Sequence, residues 1–534
     1  MKISAVLALF VGSLSAQQPY SERINVSVVN VDVAVSEADG TPVRSLTRED
    51  FVLFEDGLPQ TITNFYTVDG TNAVAPNPTA GSPASADERF RRKVLVLVDV
   101  FHTTKNRRAL ALANLERLID NSFRTGEYDW SVAVMGRGVT IALPLTSDKK
   151  AIHDTFERLI KAGERREPGV AVDLGKPSEM PNPNPDKNYT PPMEIAGDAR
   201  LDRAMSFDEQ DRILRAKFTT QAVIDAVRGF ASTSGKKIVL LLTGDMGLND
   251  LEMTGDNFGS RGGAFFQRPL TPDLARRGRD IADLRTSIVQ EANVSGVSIY
   301  IFNTEGLQPA GELGAIPAPV TNTAAVFWLA SDTGGRLVTG NDGAAALRQF
   351  DTASSNYYSL GYRPPHPEDG RYHRIKVRVK SLKGVRLEYR SGYSSSSTEA
   401  QLARAMQSPV SAAMLPTALP VKLTTGTPQA ERRGILVPIS VKVPFSSLQF
   451  LPEQDGTAAH VQIRLSVFDD VGKNLFSGEF PLTVKFPSGS VDPDGVMTYK
   501  NAVLLTKGQT SQLVAAVRDE TTDSIGVASA VVRY

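Results

Sequence analysis

The segment KVLVLVDVFHTT contains the residues whose types and spacing best suit binding chemistry. An aliphatic run at 94–98 ends on the carboxylate of Asp99, and the hydroxyl of Thr103 follows in the next turn. Carboxylate and hydroxyl oxygens suit Mg²⁺, a hard octahedral cation that keeps several of its waters. Phe101 stands where a further hydroxyl would complete such a site. The spacing therefore indicates a magnesium site that has lost one of its ligands.

The elements that would position Asp99 are those of a parallel α/β sheet. Apolar runs at 94–98, 130–135, 238–242 and 297–302 predict buried strands, and the segments between them carry apolar residues at helical spacing. Strands that alternate with helices predict a parallel sheet covered on both faces. Ligand sites of such sheets lie at the carboxyl ends of the strands, which is where Asp99 is expected.

Composition and pattern divide the chain of 534 residues into several parts. Alternating apolar residues around two Asp-Gly turns predict a small N-terminal β unit, and evenly spaced strand-like runs near the C-terminus predict an all-β sandwich. Two long stretches rich in Pro or Gly interrupt the α/β region, and we expect functional or disordered loops there. The predicted parts are a signal peptide at 1–16, the N-terminal β unit at 17–68, a linker at 69–90, an α/β domain at 91–345 with insertions at 163–205 and 246–270, a β extension at 346–395, a helix and linker at 396–415, and the β-sandwich at 416–534.

The N-terminus and the composition predict an exported protein. MKISAVLALFVGSLSAQQ has one Lys, then an apolar run shorter than the roughly 20 residues that span a bilayer, then small residues that suit cleavage near Ala16. An N-terminal membrane anchor is the alternative, and no transmembrane segment is expected later in the chain. The 0 Cys exclude disulfides and thiolate chemistry, and the formal net charge of +0 gives no reason to expect a nucleic-acid partner. The expected location is the periplasm or the extracellular space.

Several segments resemble a bacterial VWFA-related family described from acidobacteria. They are REDFVLFEDGLPQTITNFY, KVLVLVDVF, KKIVLLLTGD, ASDTGGRLV and the Tyr-rich series YYSLGYRPP, GRYHRIKVRVK and RSGY, which occur in this order within residues 23–393. The resemblance implies a von Willebrand factor A-like (VWA-like) domain with a Rossmann-like doubly wound sheet, next to β domains. It implies little about activity.

The resemblance also implies a set of metal ligands. In the complete A-domain motif, Asp-x-Ser-x-Ser follows the first strand, a Thr comes from a second loop, and an Asp comes from a later strand end. Asp99 and Thr103 match this motif, whereas Gly244 occupies the later Asp position and Asp245 follows it. The second loop coincides with the Pro-rich insertion, where Thr190 is the only candidate. We therefore expect a degenerate site with weak Mg²⁺ binding at most, and no other cofactor.

Other residues that could be reactive have simpler structural explanations. His102 is close to Asp99 in the sequence, and we expect it to be a solvated loop histidine. Tyr357, Tyr358 and Tyr362 could form a sugar-stacking row, but aromatic residues favour half-buried strands, so strand packing is expected. The chain contains neither His-Glu-x-x-His nor Gly-x-Ser-x-Gly.

Functions of different classes remain open at this point. The first is a non-enzymatic binding or scaffold protein for a protein or cell-surface ligand, with Asp99 capping the turn that follows it and Phe101 covering the top of the sheet. The second is an envelope or secreted hydrolase whose site matches no known short motif. The lack of a nucleophile or metal motif favours the first. A third is an assembly component that pairs through a sheet edge of the C-terminal sandwich.

Overall fold

The computed structural model contains an α/β unit and two β-sandwiches within the residues that it describes. These residues are 28–69, 72–74, 91–122, 128–136, 138–162, 214–231, 235–244, 246, 272–304, 324–338, 343–366, 369–382, 384–415, 418–432, 434–453, 456–470, 472–487 and 491–533. The predicted signal peptide and, apart from Met246, both predicted insertions lie outside them. Within these ranges, none of the helices combines the length and the apolar character needed to cross a membrane.

Strands predominate towards both ends of the chain, whereas strands and helices alternate in its central part. The strands are β1 (Val29–Ser36), β2 (Phe51–Glu55), β3 (Leu58–Gln60), β4 (Ile62–Asp69), β5 (Asn72–Val74), β6 (Arg92–Asp99), β7 (Tyr128–Met135), β8 (Val139–Thr146), β9 (Lys236–Thr243), β10 (Val297–Asn303), β11 (Leu337–Val338), β12 (Asn356–Tyr362), β13 (Tyr372–Val379), β14 (Arg386–Glu388), β15 (Gly392–Ser394), β16 (Lys422–Thr425), β17 (Gln429–Glu431), β18 (Gly434–Pro444), β19 (Leu451–Glu453), β20 (Gly456–Phe468), β21 (Asn474–Phe486), β22 (Val496–Leu505), β23 (Thr510–Asp519) and β24 (Ile525–Arg533). The α-helices are α1 (Lys105–Ser122), α2 (Lys149–Ala162), α3 (214–229), α4 (Pro272–Ser295), α5 (Ala324–Asp332), α6 (Gly343–Ser355), α7 (Thr398–Ala405) and α8 (Ser411–Met414).

The α/β unit is built on a six-stranded sheet in the order β11-β10-β9-β6-β7-β8. Its neighbouring strands are parallel, except that β8 runs antiparallel to β7 at one edge. Strands are added outward in both directions from the adjacent pair β6 and β9, which is the arrangement of a doubly wound sheet. The predicted parallel-rich sheet is therefore present. Its antiparallel edge strand was not predicted, because alternation of strands and helices does not reveal a hairpin inside the series.

Both faces of this sheet are covered by apolar side chains. Val94 and Val96 point to the face that packs with Leu112 of α1, whereas Leu95 and Leu97 point to the opposite face. Every residue of β6 is buried. A strand that is buried on both faces has no polar alternation, which explains the uninterrupted apolar run at 94–98 within β6.

One sandwich unites the predicted N-terminal β unit with most of the predicted β extension. Its two sheets have the orders β14-β1-β12-β4-β5 and β15-β13-β2-β3, so strands from both ends of the α/β unit pair with one another. We call this the N-terminal sandwich. Tyr357, Tyr358 and Tyr362 are each at most 3% exposed on β12, which confirms strand packing for this row.

Two further features concern the boundaries after the α/β unit. Helix α6 spans the predicted boundary at 345 and packs its Phe350 into the core beside α1, so it belongs to the α/β unit. The last part of the chain forms the C-terminal sandwich. One of its sheets contains β16, β17, β18 and β22, the other contains β19, β20, β21, β23 and β24, and a single apolar cluster fills the space between them.

Candidate functional site at the carboxyl edge of the parallel sheet

Asp99 closes β6 at the point where the two halves of the doubly wound sheet meet. Its side chain is fully buried. Thr243, the last residue of the adjacent strand β9, donates a hydrogen bond from Oγ1 to Asp99 Oδ2 over 2.6 Å. Ligands of doubly wound sheets bind outside the carboxyl ends of the strands at such a switch point. Asp99 therefore occupies the position at which this fold places ligand sites.

Both carboxylate oxygens of Asp99 are used by the chain itself. Oδ1 accepts hydrogen bonds from the backbone amides of Phe101 and His102, over 2.8 and 3.0 Å. Oδ2 accepts the bond from Thr243 and lies 2.9 Å from Nδ1 of His102. An ionised carboxylate only accepts, so Nδ1 of the imidazole is then the donor. These bonds stabilise a buried charge that would be costly without partners.

His102 belongs to this site, and the expectation of a solvated loop histidine is wrong. Its side chain is 10% exposed, and its ring meets the ring of Phe101 edge-on, with 6.4 Å between the centroids. Its Nδ1 also lies 3.5 Å from Oγ1 of Thr219 on α3. The physical reason is the turn: the two amides that bond to Asp99 curl the loop back over the strand end, and this turns the imidazole inward.

Thr103, the second predicted ligand, is buried in the same turn. Thr304, directly after β10, donates from Oγ1 to Oγ1 of Thr103 over 3.4 Å. The guanidinium of Arg108 donates to the carbonyl oxygen of Thr103, also over 3.4 Å. Burial lowers the pKa of Arg108, and the charge of Asp99 opposes this shift. The guanidinium of Arg108 therefore already places a positive charge near the strand end.

Two further residues considered for the metal site, Asp245 and Thr190, lie outside the described residues, while Gly244 directly follows β9. Three hydroxyls at this edge were not predicted, those of Thr219, Thr243 and Thr304. Thr243 and Thr304 each stand at or just beyond the end of an apolar strand run, and that signal was available in the sequence.

Comparisons with known proteins leave the family unassigned. No family model matches the chain, and no curated protein matches it. An aerotolerance-related membrane protein from Bacteroides fragilis is 11% identical over 49% of this chain and 98% of its own, with a TM-score of 0.23. The conserved hypothetical protein BatB from Bacteroides thetaiotaomicron is 12% identical over 49% of this chain and 97% of its own, with a TM-score of 0.24. A β-glucuronidase from Bacteroides uniformis is 12% identical over 21% of this chain, which spans 13% of that protein, with a TM-score of 0.16.

Proposed function

We propose that this chain is an exported, non-enzymatic binding or scaffold protein whose VWA-like α/β unit recognises a protein or cell-surface ligand. The observation that supports the proposal is the engagement of Asp99 by its own chain. In a metal-dependent A-like domain, the carboxylate at this position supplies an oxygen to the ion. Here the oxygens of Asp99 hold the turn that carries Phe101 and His102, so the turn itself is the recognition element.

The metal site formed by Asp99, Thr103 and Asp245 is degenerate in this proposal. Mg²⁺ sheds water reluctantly and requires near-ideal octahedral geometry. To coordinate it, Asp99 would have to exchange its bonds to Thr243 and His102, and the ring of Phe101 offers no oxygen in return. Any binding of Mg²⁺ is therefore weak, and ligand recognition does not depend on it.

A capture experiment with the whole protein tests this function. The immobilised wild-type chain should retain the same envelope component in EDTA and in Mg²⁺, and Phe101→Ala should weaken its retention about tenfold, the effect of losing one apolar anchor. The matched control is Phe476→Ala, which removes an aromatic side chain that is 42% exposed on the C-terminal sandwich.

Two outcomes would contradict the proposal. One is retention that requires a divalent cation, since recognition would then pass through a working metal site. The other is turnover of a generic esterase, glycosidase or peptidase substrate that disappears in Asp99→Asn, which would establish the hydrolase alternative.

A further inference from the structure

A second group of polar side chains lies in the N-terminal sandwich, far from Asp99 in the sequence. Glu55 ends β2 and is 2% exposed, and His373 lies on the neighbouring strand β13 with 8% of its side chain exposed. His366 comes from the segment between β12 and β13, and its imidazole stacks on that of His373 with 3.8 Å between the centroids. The antiparallel pairing of β2 with β13 brings these groups together.

Their ligand atoms converge on one point. Nε2 of His366 lies 2.6 Å from Oε1 of Glu55, and Nδ1 of His373 lies 3.4 Å from the same oxygen. One ligand atom from each of the three residues lies within 4.8 Å of the others. Two ligands of a tetrahedral Zn²⁺ stand about 3.3 Å apart, so the group needs displacements of less than about 1 Å to enclose an ion.

The other oxygen of Glu55 supplies independent evidence. Oε2 is buried and accepts no hydrogen bond among the described residues, and the buried hydroxyl of Tyr362, which interacts with the same carboxyl group, has no hydrogen-bond partner there either. Buried carboxylate oxygens in folded proteins are nearly always paired, so this arrangement requires an explanation. A cation that both oxygens of Glu55 ligate, together with the two imidazoles, would satisfy Oε2.

The surrounding groups match the outer shell of a metal site. Oδ1 of Asp369 lies 3.1 Å from Nε2 of His373 and would accept a hydrogen bond from it when Nδ1 binds an ion. The hydroxyl of Tyr393 donates to Oε1 of Glu55 over 3.0 Å. Oδ2 of Asp56 lies 2.9 Å from Nδ1 of His373, close enough to serve as a fourth ligand.

Charge also favours a cation at this point. The backbone amide of Arg374 donates to Oδ1 of Asp56 over 2.8 Å, and that of Arg371 donates to Oδ1 of Asp369 over 2.9 Å. These bonds hold two further carboxyl groups beside the two imidazoles. Asp56 is held in place by the hairpin turn between β2 and β3, in which it has φ 48 and Gly57 has φ 84.

We infer that Glu55, His366 and His373 form a Zn²⁺ site, completed by Asp56 or by water. Imidazole nitrogens with one carboxylate are a donor set that Zn²⁺ uses, whereas Mg²⁺ prefers oxygen alone. The ion would link the β2–β3 hairpin to the segment before β13. It would thereby cross-link a part of the chain that precedes the α/β unit with a part that follows it. This site is separate from Asp99 and does not rest on the proposed function.

Calorimetric titration of the full chain with Zn²⁺, after treatment with EDTA, tests the site. The wild type should bind one equivalent and show a melting temperature about 5 °C higher in excess Zn²⁺. Glu55→Gln should weaken binding at least about tenfold. The matched control is Glu453→Gln, which removes an exposed carboxylate that lies 2.8 Å from Nε2 of His460 and should leave binding unchanged.

A second variant covers the case in which Glu55→Gln does not fold. His366→Asn changes a partly exposed residue outside the strands, and it should lose the Zn²⁺-dependent rise in melting temperature while keeping the far-ultraviolet circular dichroism of the wild type. Absence of Zn²⁺ binding in the wild type, or equal binding in the wild type and His366→Asn, would overturn the inference. So would a rise of the same size in Mg²⁺, because that would indicate an oxygen-only site.

Discussion

At the scale of single residues, the partners of Asp99 decide what the carboxyl edge of the sheet can bind. A carboxylate that holds two backbone amides, a threonine hydroxyl and an imidazole is a structural group. Hydrogen bonds to a charged group contribute more to stability than neutral ones do. The same carboxylate can serve an ion only if these bonds are exchanged, so the turn and the metal site compete for one residue.

The bond from Thr243 to Asp99 gives a direct test of this competition. Thr243→Val keeps the shape of the side chain but removes the hydroxyl donor, so we expect the free energy of unfolding to fall by about 1.5–3 kcal/mol. Urea-induced unfolding followed by tryptophan fluorescence measures this. Thr140→Val, at an exposed position of β8, is the control. If the free energy of unfolding of Thr243→Val lay within about 0.5 kcal/mol of that of Thr140→Val, the hydrogen bond from Thr243 to Asp99 would not contribute to stability.

The sequence predicts part of this residue-scale arrangement. The end of an apolar run places Asp99 at the sheet edge, and Phe101 excludes a complete set of hydroxyl ligands. The inward turn of His102 and the contact with Thr219 could not be predicted, because they depend on how the loop after β6 meets a helix that comes more than a hundred residues later in the chain.

At the scale of elements, helix α3 buries a carboxyl group that opposes folding at neutral pH. Burial raises the pKa of Asp225 to about 7, although Gln221 donates a hydrogen bond to it over 2.9 Å. An unfolded aspartate titrates at about 3.9, so between about pH 4 and 7 the folded chain holds a proton that the unfolded chain has released. The stability that this proton provides is present below about pH 4 and is lost as the pH rises to about 7.

Asp225→Asn should therefore stabilise the α/β unit at pH 8, by about 1–4 kcal/mol, and flatten the decline in stability between about pH 5 and 7. Urea-induced unfolding at several pH values measures this, because both tryptophans, Trp130 and Trp328, lie in the α/β unit. The control is Asp154→Asn on the exposed face of α2. An unchanged pH profile in Asp225→Asn would mean that this group does not hold the proton.

The positions of the strands were predicted better than their pairing in the sheets. The apolar runs located β6, β7, β9 and β10, but the two-residue strand β11 was not predicted, and nothing in the sequence of β8 indicated that it would turn back on β7. Likewise, the alternation in β1 predicted a half-buried strand without naming β12 as its neighbour. Periodicity reports how a strand is buried, whereas pairing is decided by packing between distant parts of the chain.

At the scale of the whole molecule, the N-terminal sandwich connects the two ends of the α/β unit. Its sheets combine β1–β5, which precede the α/β unit in the chain, with β12–β15, which follow it. Glu55 and His366 meet only because of this arrangement. The sequence contains 5 His, and the spacing of His366 and His373 around Asp369 was the available signal for a polar cluster. Its partner Glu55 could not be identified before the strand pairing was known.

The measurement that tests the central claim most directly is calorimetric titration of the full chain with Mg²⁺. The wild type should give no saturable binding at about 1–2 mM Mg²⁺, because too few oxygens converge on an ion at the carboxyl edge. Phe101→Ser should strengthen binding, and the double variant Phe101→Ser with Asp99→Ala should abolish that gain. Tight binding by the wild type that vanished in Asp99→Ala would contradict the account and establish metal-dependent recognition.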